Sequence, residues 1–118
     1  MSFVNRTEPG LCAVCARREI GIGFTDNPSR SHPILWLCDD PECITIAQGT
    51  YSMRQDNFDR IESLAAGKGG QKAGAFLEEI GKTDLQSLTV DEWHEFCRRM
   101  IAGYRVSLKE ELKNEAPF

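Results

Sequence analysis

Cys12, Cys15, Cys38 and Cys43 are four of the five cysteines in the chain, and they fall into two close pairs. Cys12-Ala13-Val14-Cys15 spans one tight turn and Cys38-Asp39-Asp40-Pro41-Glu42-Cys43 another, with 22 residues between them. Each pair can bite one metal ion from its turn while the intervening loop closes the cage, which is the pattern of a tetrahedral thiolate zinc site. Four thiolates at ~2.3 Å leave no coordination position for water, so one Zn²⁺ here would be structural and not a reagent. Such a site adds on the order of 10 kcal/mol to folding. His32, a short step before Cys38, is the substitute ligand if one sulfur fails to bind, although the four thiolates are better spaced.

The remaining candidates read as ordinary structure. Cys97 falls on an apolar helical stripe, where a free cysteine behaves as a small core residue. His94 lies off the centre of that stripe and reads as a partly exposed, satisfied side chain, so it and Cys97 do not read as a nucleophile and base. Gly81-Lys82-Thr83 imitates the end of a phosphate-binding loop, but Phe76 stands where the motif needs its first glycine and no strand precedes it. No carboxylate reads as buried, so no acid–base pair is evident. Arg17, Arg18 and Arg30 could touch phosphate, or simply balance a negative metal centre. Arg98, Arg99 and Arg105 form a second basic strip that Glu92 and Glu95 dilute.

Composition bounds the class. With 118 residues, 41% hydrophobic and 27% charged, the chain is one globular domain and not a disordered segment. Fourteen Lys and Arg against 18 Asp and Glu give a net charge of −4, and a four-thiolate zinc centre would make it more negative by two. That balance is poorly suited to neutralising nucleic-acid phosphates. Met1 to Thr7 turns polar before an apolar stretch can form, unlike a signal peptide. The longest apolar runs, Leu11 to Ala16 and Ile34 to Cys38, are too short to span a bilayer. The expected setting is a reducing cytoplasm, where clustered cysteines favour metal over disulfides.

The elements that must position the cysteines follow from pattern. Residues 1–10 read as a flexible arm ending in the Pro9-Gly10 turn. Ile20, Ile22 and Phe24, two apart, predict a strand; 25–33 is dense in turn formers; Ile34-Leu35-Trp36-Leu37 is the return strand, its continuous apolar run suggesting cover on both faces. A helix then starts at Asp39 or Asp40, with Pro41 in its first turn and Glu42 placed to close a capping box with Asp39. Cys43 falls in that first turn, where unpaired N–H groups favour a thiolate. Beyond a break near Gln55 to Asn57, a short helix carries Phe58, Ile61 and Leu64. Gly67-Lys68-Gly69-Gly70 reads as a flexible joint, and a further helix with Phe76, Leu77 and Ile80 ends at Gly81. Thr89 and Glu92 form a capping box, with Leu88 as staple to Trp93, for a last helix whose Trp93, Phe96, Cys97, Met100, Ile101, Tyr104, Leu108 and Leu112 share a face.

A cysteine turn, a hairpin and a helix bearing the last ligand is the arrangement of a treble-clef zinc finger, and the Leu37-Cys38…Cys43 junction is similar to the Phe-Cys-Ser type of such fingers. Taken with Gly21-Ile22-Gly23-Phe24, Phe76-Leu77-Glu78-Glu79-Ile80-Gly81 and Thr89-Val90-Asp91-Glu92-Trp93, the chain resembles a family of small uncharacterised proteins of bacteriophages and prophages over residues 12 to about 112. It departs from that pattern in a longer gap between Cys38 and Cys43 and in an apparent insertion at Gly67 to Lys72. The resemblance implies that Cys12, Cys15, Cys38 and Cys43 are the metal ligands and brings no activity with it. The expectation is an α+β fold: a treble-clef-like zinc module at residues 11–55, packed with two or three C-terminal helices at 56–118. The expected function is non-enzymatic, binding a host or phage protein, with nucleic-acid binding as the alternative.

Overall fold

The computed structural model describes residues 5–29 and 31–115. Two short antiparallel strands, β1 (Ile22–Phe24) and β2 (Leu35–Leu37), precede three helices, α1 (Pro41–Thr50), α2 (Gln55–Ile80) and α3 (Val90–Glu115). Ile22 pairs with Leu37 and Phe24 with Leu35. Leu35 and Leu37 are fully buried, whereas Ile34 and Ile20 are exposed and Trp36 is half-buried. The return strand is therefore covered on one face and not two, because a lone hairpin has no second layer over its outer side.

Asp40 caps α1, its carboxylate accepting from the Glu42 N–H at 2.9 Å, with Pro41 as the first helical residue. This shifts the cap one residue from the Asp39–Glu42 pairing and leaves Cys43 in the first turn. The capping box of α3 forms as its sequence requires: the Thr89 N–H donates to Glu92 Oε1 at 2.9 Å, and the Glu92 N–H donates to Thr89 Oγ1 at 3.1 Å.

The expected joint at Gly67 to Gly70 does not exist. Helix α2 runs unbroken through it for 26 residues. Antiparallel α3 crosses so closely there that a Cβ on Gly69 would lie 2.5 Å from the Met100 carbonyl oxygen, and one on Gly103 would lie 3.1 Å from the Gly69 Cα. A glycine costs a helix about 1 kcal/mol relative to alanine. The close packing of two long helices outweighs that cost. Gly81, at φ 68°, closes α2 in the left-handed region by donating to the Leu77 and Glu78 carbonyls.

Two cores result. The larger joins Val14, Leu35, Leu37, Ile46 and Ala47 of the cysteine-bearing head to Phe58, Ile61, Ala65, Leu108 and Leu112 at the base of the α2–α3 hairpin. The smaller holds Ala73, Phe76 and Phe96 near the hairpin tip. The body measures 55 × 28 × 25 Å. At ~39 Å each, the 26-residue helices fit only along its long axis.

Of the expected arm, residues 1–4 lie outside the described residues. Residues 5–10 are tied down at Arg6, which is buried, donates to the carbonyls of Thr50 at 2.9 Å and Met53 at 2.7 Å, and stacks over the Phe58 ring. It satisfies carbonyls at the end of α1 that the helix itself leaves open.

Candidate metal centre

Each close cysteine pair is held by local backbone chemistry. The Cys12 N–H donates to the Arg17 carbonyl, and the Ala16 N–H returns to the Cys12 carbonyl, wrapping the first pair into a knuckle. Ala16 closes this turn at φ 60°, a left-handed conformation that is rare for a residue with a Cβ. The Ala13 N–H donates to the Trp36 carbonyl, which stitches the knuckle to β2 beside Cys38. Asp40 and Pro41 then start α1 so that Cys43 turns back toward the knuckle.

The four sulfurs converge. Cys12, Cys15, Cys38 and Cys43 are 2, 6, 2 and 0% exposed, and their Sγ atoms all lie within 4.8 Å of one another. Cys15 Sγ and Cys38 Sγ are 3.7 Å apart, and neither is in a disulfide. A disulfide needs about 2.05 Å. The edge of a regular tetrahedron with ~2.3 Å metal–sulfur bonds is about 3.8 Å, so the separation suits sulfurs sharing one ion. The donor set fits a structural zinc ion.

The electrostatics agree. Hydrogen bonds from the Cys15 and Cys43 thiols hold Cys12 far below the ordinary thiol range, with help from the Cys15 and Val14 backbone N–H groups. The Cys12 thiolate in turn pushes Cys15 up to about 11, and hydrogen bonds to Cys12 and Cys15 push Cys43 higher still. One sulfur ionises at its neighbours' expense, since buried like charges at this range repel strongly. A divalent cation at the centre removes the conflict.

Lys109 of α3 supplies charge balance from outside the cage. Its Nζ donates to Asp40 Oδ2 at 2.6 Å and lies 3.9 Å from Glu42 Oε1. Its pKa is raised, chiefly by Asp40, with smaller contributions from nearby charges that include Cys43. Lys109 reads in the sequence as one of several cations on a polar helix face, and no local signal sets it apart. Arg6 is likewise invisible in its segment, because its partners lie more than 40 residues away.

The other candidates fall elsewhere. His32 is outside the sulfur cluster, its Nδ1 2.6 Å from Asp26 Oδ1 in the hairpin loop. Arg17 and Arg18 are exposed beside the knuckle, and Arg30 lies outside the described residues. Cys97 is half-buried near the hairpin tip, and His94 is exposed. Arg99 does not project as part of a basic strip: it pairs with Glu79 at 3.0 Å and Glu95 at 3.3 Å and stacks on Phe76. Glu92 pairs with Lys82 at 2.6 Å. Contrary to the sequence reading, one carboxylate is buried: Glu62, 8% exposed, accepts from the Tyr104 hydroxyl at 2.8 Å. No helix is long and apolar enough to cross a membrane among the described residues.

A four-cysteine centre in a small α+β head, seated on a long helical hairpin, defines the class of this protein. The chain belongs to a family of unknown function (DUF6511), whose model matches residues 56–118, the hairpin and its C-terminal end. Comparison with curated proteins and with solved structures gives no match.

Proposed function

We propose that this chain is a non-enzymatic, zinc-stabilised interaction protein, phage-encoded and working in the bacterial cytoplasm, which binds a host or phage protein and so modulates a macromolecular machine such as that of transcription or host defence. The observation that carries this reading is the closure of the cage: every corner is a buried sulfur, and none is left for substrate or water. The metal then serves as scaffold, and the chemistry of the site is exhausted by holding the head together. The order of knuckle, hairpin and a helix whose first turn carries the last sulfur supports a treble-clef assignment for that head. Ile20, Ile22 and Ile34 are exposed on the head and offer a partner apolar contact.

The test has two stages. Elemental analysis of purified protein should give one zinc per chain. Immobilised wild type should then retain a defined protein from bacterial lysate that an Ile20→Glu, Ile34→Glu variant with unchanged zinc content does not. Equal retention by both, or a metal-free folded protein, overturns the reading.

A second reading rests on Arg17 and Arg18, which are exposed beside the knuckle and take no ion pair among the described residues. In it the head binds nucleic-acid phosphate. Retention on DNA that falls steeply with salt, and is lost in Arg17→Ala, Arg18→Ala, would favour it over a protein partner.

A further inference from the structure

Among the described residues the buried polar side chains are Arg6, Thr50 and Glu62, and two of these are ions of opposite sign. Thr50 is satisfied within its own helix, its hydroxyl donating to the Ile46 carbonyl at 2.7 Å. The two ions are not fully satisfied. Arg6 is 7% exposed and uses Nη1 and Nη2 on the Met53 and Thr50 carbonyls, so no carboxylate is among its side-chain partners. Its Nε is buried and meets no acceptor among the described residues, where it is the one buried side-chain nitrogen or oxygen left in that state. A buried donor left unpaired costs its full desolvation, most of all on a charged group. Glu62, 8% exposed, accepts from the Tyr104 hydroxyl at Oε2, while Oε1 takes no donor among the described residues.

Both ions line one small cavity. Cys12, Phe58, Tyr104 and Leu108 line it too, which places it where the cysteine knuckle meets the base of the hairpin. It leaves about 20 Å³ for the centre of a water-sized molecule. A single water needs roughly 10–15 Å³ by that measure, and at least two polar partners. The cavity meets both conditions. Phe58 and Leu108 offer no side-chain partner, so the two ions fix how a water would turn.

We propose that this cavity binds one ordered water, which accepts from the Arg6 Nε–H and donates to Glu62 Oε1, joining the two buried charges as a water-separated ion pair. Such a bridge is nearly as favourable in enthalpy as a direct hydrogen bond. Arg6 precedes the knuckle and Glu62 belongs to α2, so the bridge fastens residues 5–10 to the hairpin base. Because Cys12 shares the cavity wall, it also holds that segment beside one corner of the sulfur cluster.

Water-selective NMR on the full chain tests it. In wild type the Arg6 Nε–H should give a cross-peak to water whose rotating-frame sign is opposite to the diagonal, which marks contact and not proton exchange. Glu62→Leu should abolish that peak. Tyr104→Phe should keep it, since this change removes a hydroxyl proton that could mimic water but leaves the Glu62 carboxylate in place. A double-mutant cycle reads the pairing separately: Arg6→Met and Glu62→Leu should each lower the folding equilibrium constant, and the double variant should lose at least ~5-fold less than the product of the two single losses. The wild-type and Tyr104→Phe spectra hold the test should a charge variant fail to fold. No contact peak in wild type, a peak that survives Glu62→Leu or is lost in Tyr104→Phe, or a coupling below ~5-fold would overturn the proposal.

Discussion

Cys43 and Cys97 carry the same thiol into opposite situations. Cys43 is fully buried among three other sulfurs, and Cys97 sits half-covered beside a small apolar cluster. A ligand removed from a closed cage forfeits much of a contribution on the order of 10 kcal/mol, comparable to the whole stability of a small domain. Cys43→Ser should therefore lose zinc and unfold the head, whereas Cys97→Ser should cost about 1 kcal/mol or less in urea denaturation. The reverse order would mean that the ligand set is misassigned. At Ala16 the prediction runs toward greater stability. Its φ of 60° is a conformation that a Cβ opposes by roughly 1–2 kcal/mol. Ala16→Gly relieves that strain against a larger entropy loss on folding, so the denaturation midpoint should rise, by about 0.5–1 kcal/mol of stability. The four cysteines were legible because their spacing is itself the geometry of the site. Lys109 and Arg6 were not, because what distinguishes them from any surface cation is contact with segments distant in sequence.

The elements were legible in proportion to how local their causes are. The Thr89–Glu92 capping box and the Gly81 terminator act within a few residues, and both stand where the pattern placed them. Gly67-Lys68-Gly69-Gly70 misled because propensity counts the glycines as breaks and cannot see α3 lying against Gly69. That contact makes the residue's size, and not its freedom, the important property. Gly69→Ala must push the Met100 backbone away from a Cβ 2.5 Å from its oxygen, which should cost about 1–3 kcal/mol in thermal or chemical denaturation. If Gly69 were instead a flexible joint, the same change would stabilise the chain. The return strand failed for a related reason: Ile34 to Leu37 is a continuous apolar run, but the second layer it seemed to promise was never built.

Across the whole molecule, the division into two cores sets how it comes apart. Chelation of the metal should release the head and the hairpin base together, because Ile61, Leu108 and Leu112 share one cluster with the cysteines. Hydrogen exchange should then accelerate most at those helical segments and at β2, and least around Phe76 and Phe96. Uniform acceleration along the hairpin would contradict the division. Alkali acts on the same seam. Burial, and then the Glu62 carboxylate, raise the pKa of Tyr104 well above the ordinary phenol value near ~10. The unfolded chain therefore gives up this proton at a lower pH than the folded one. Stability is fully present below about pH 10 and falls as pH rises toward the folded value. Tyr104→Phe should flatten the decline of melting temperature above that point.

The long axis has a consequence for motion in solution. A body 55 Å long and at most 28 Å across rotates faster about its length than end over end. Peptide N–H bonds in α2 and α3 point along that length, so their nuclear relaxation reports only the slow rotation. Amides of the head, inclined at other angles, sample both. The ratio of the two rates in a single ¹⁵N experiment then gives the tilt of β1 and β2 against the helical rod, with no label attached.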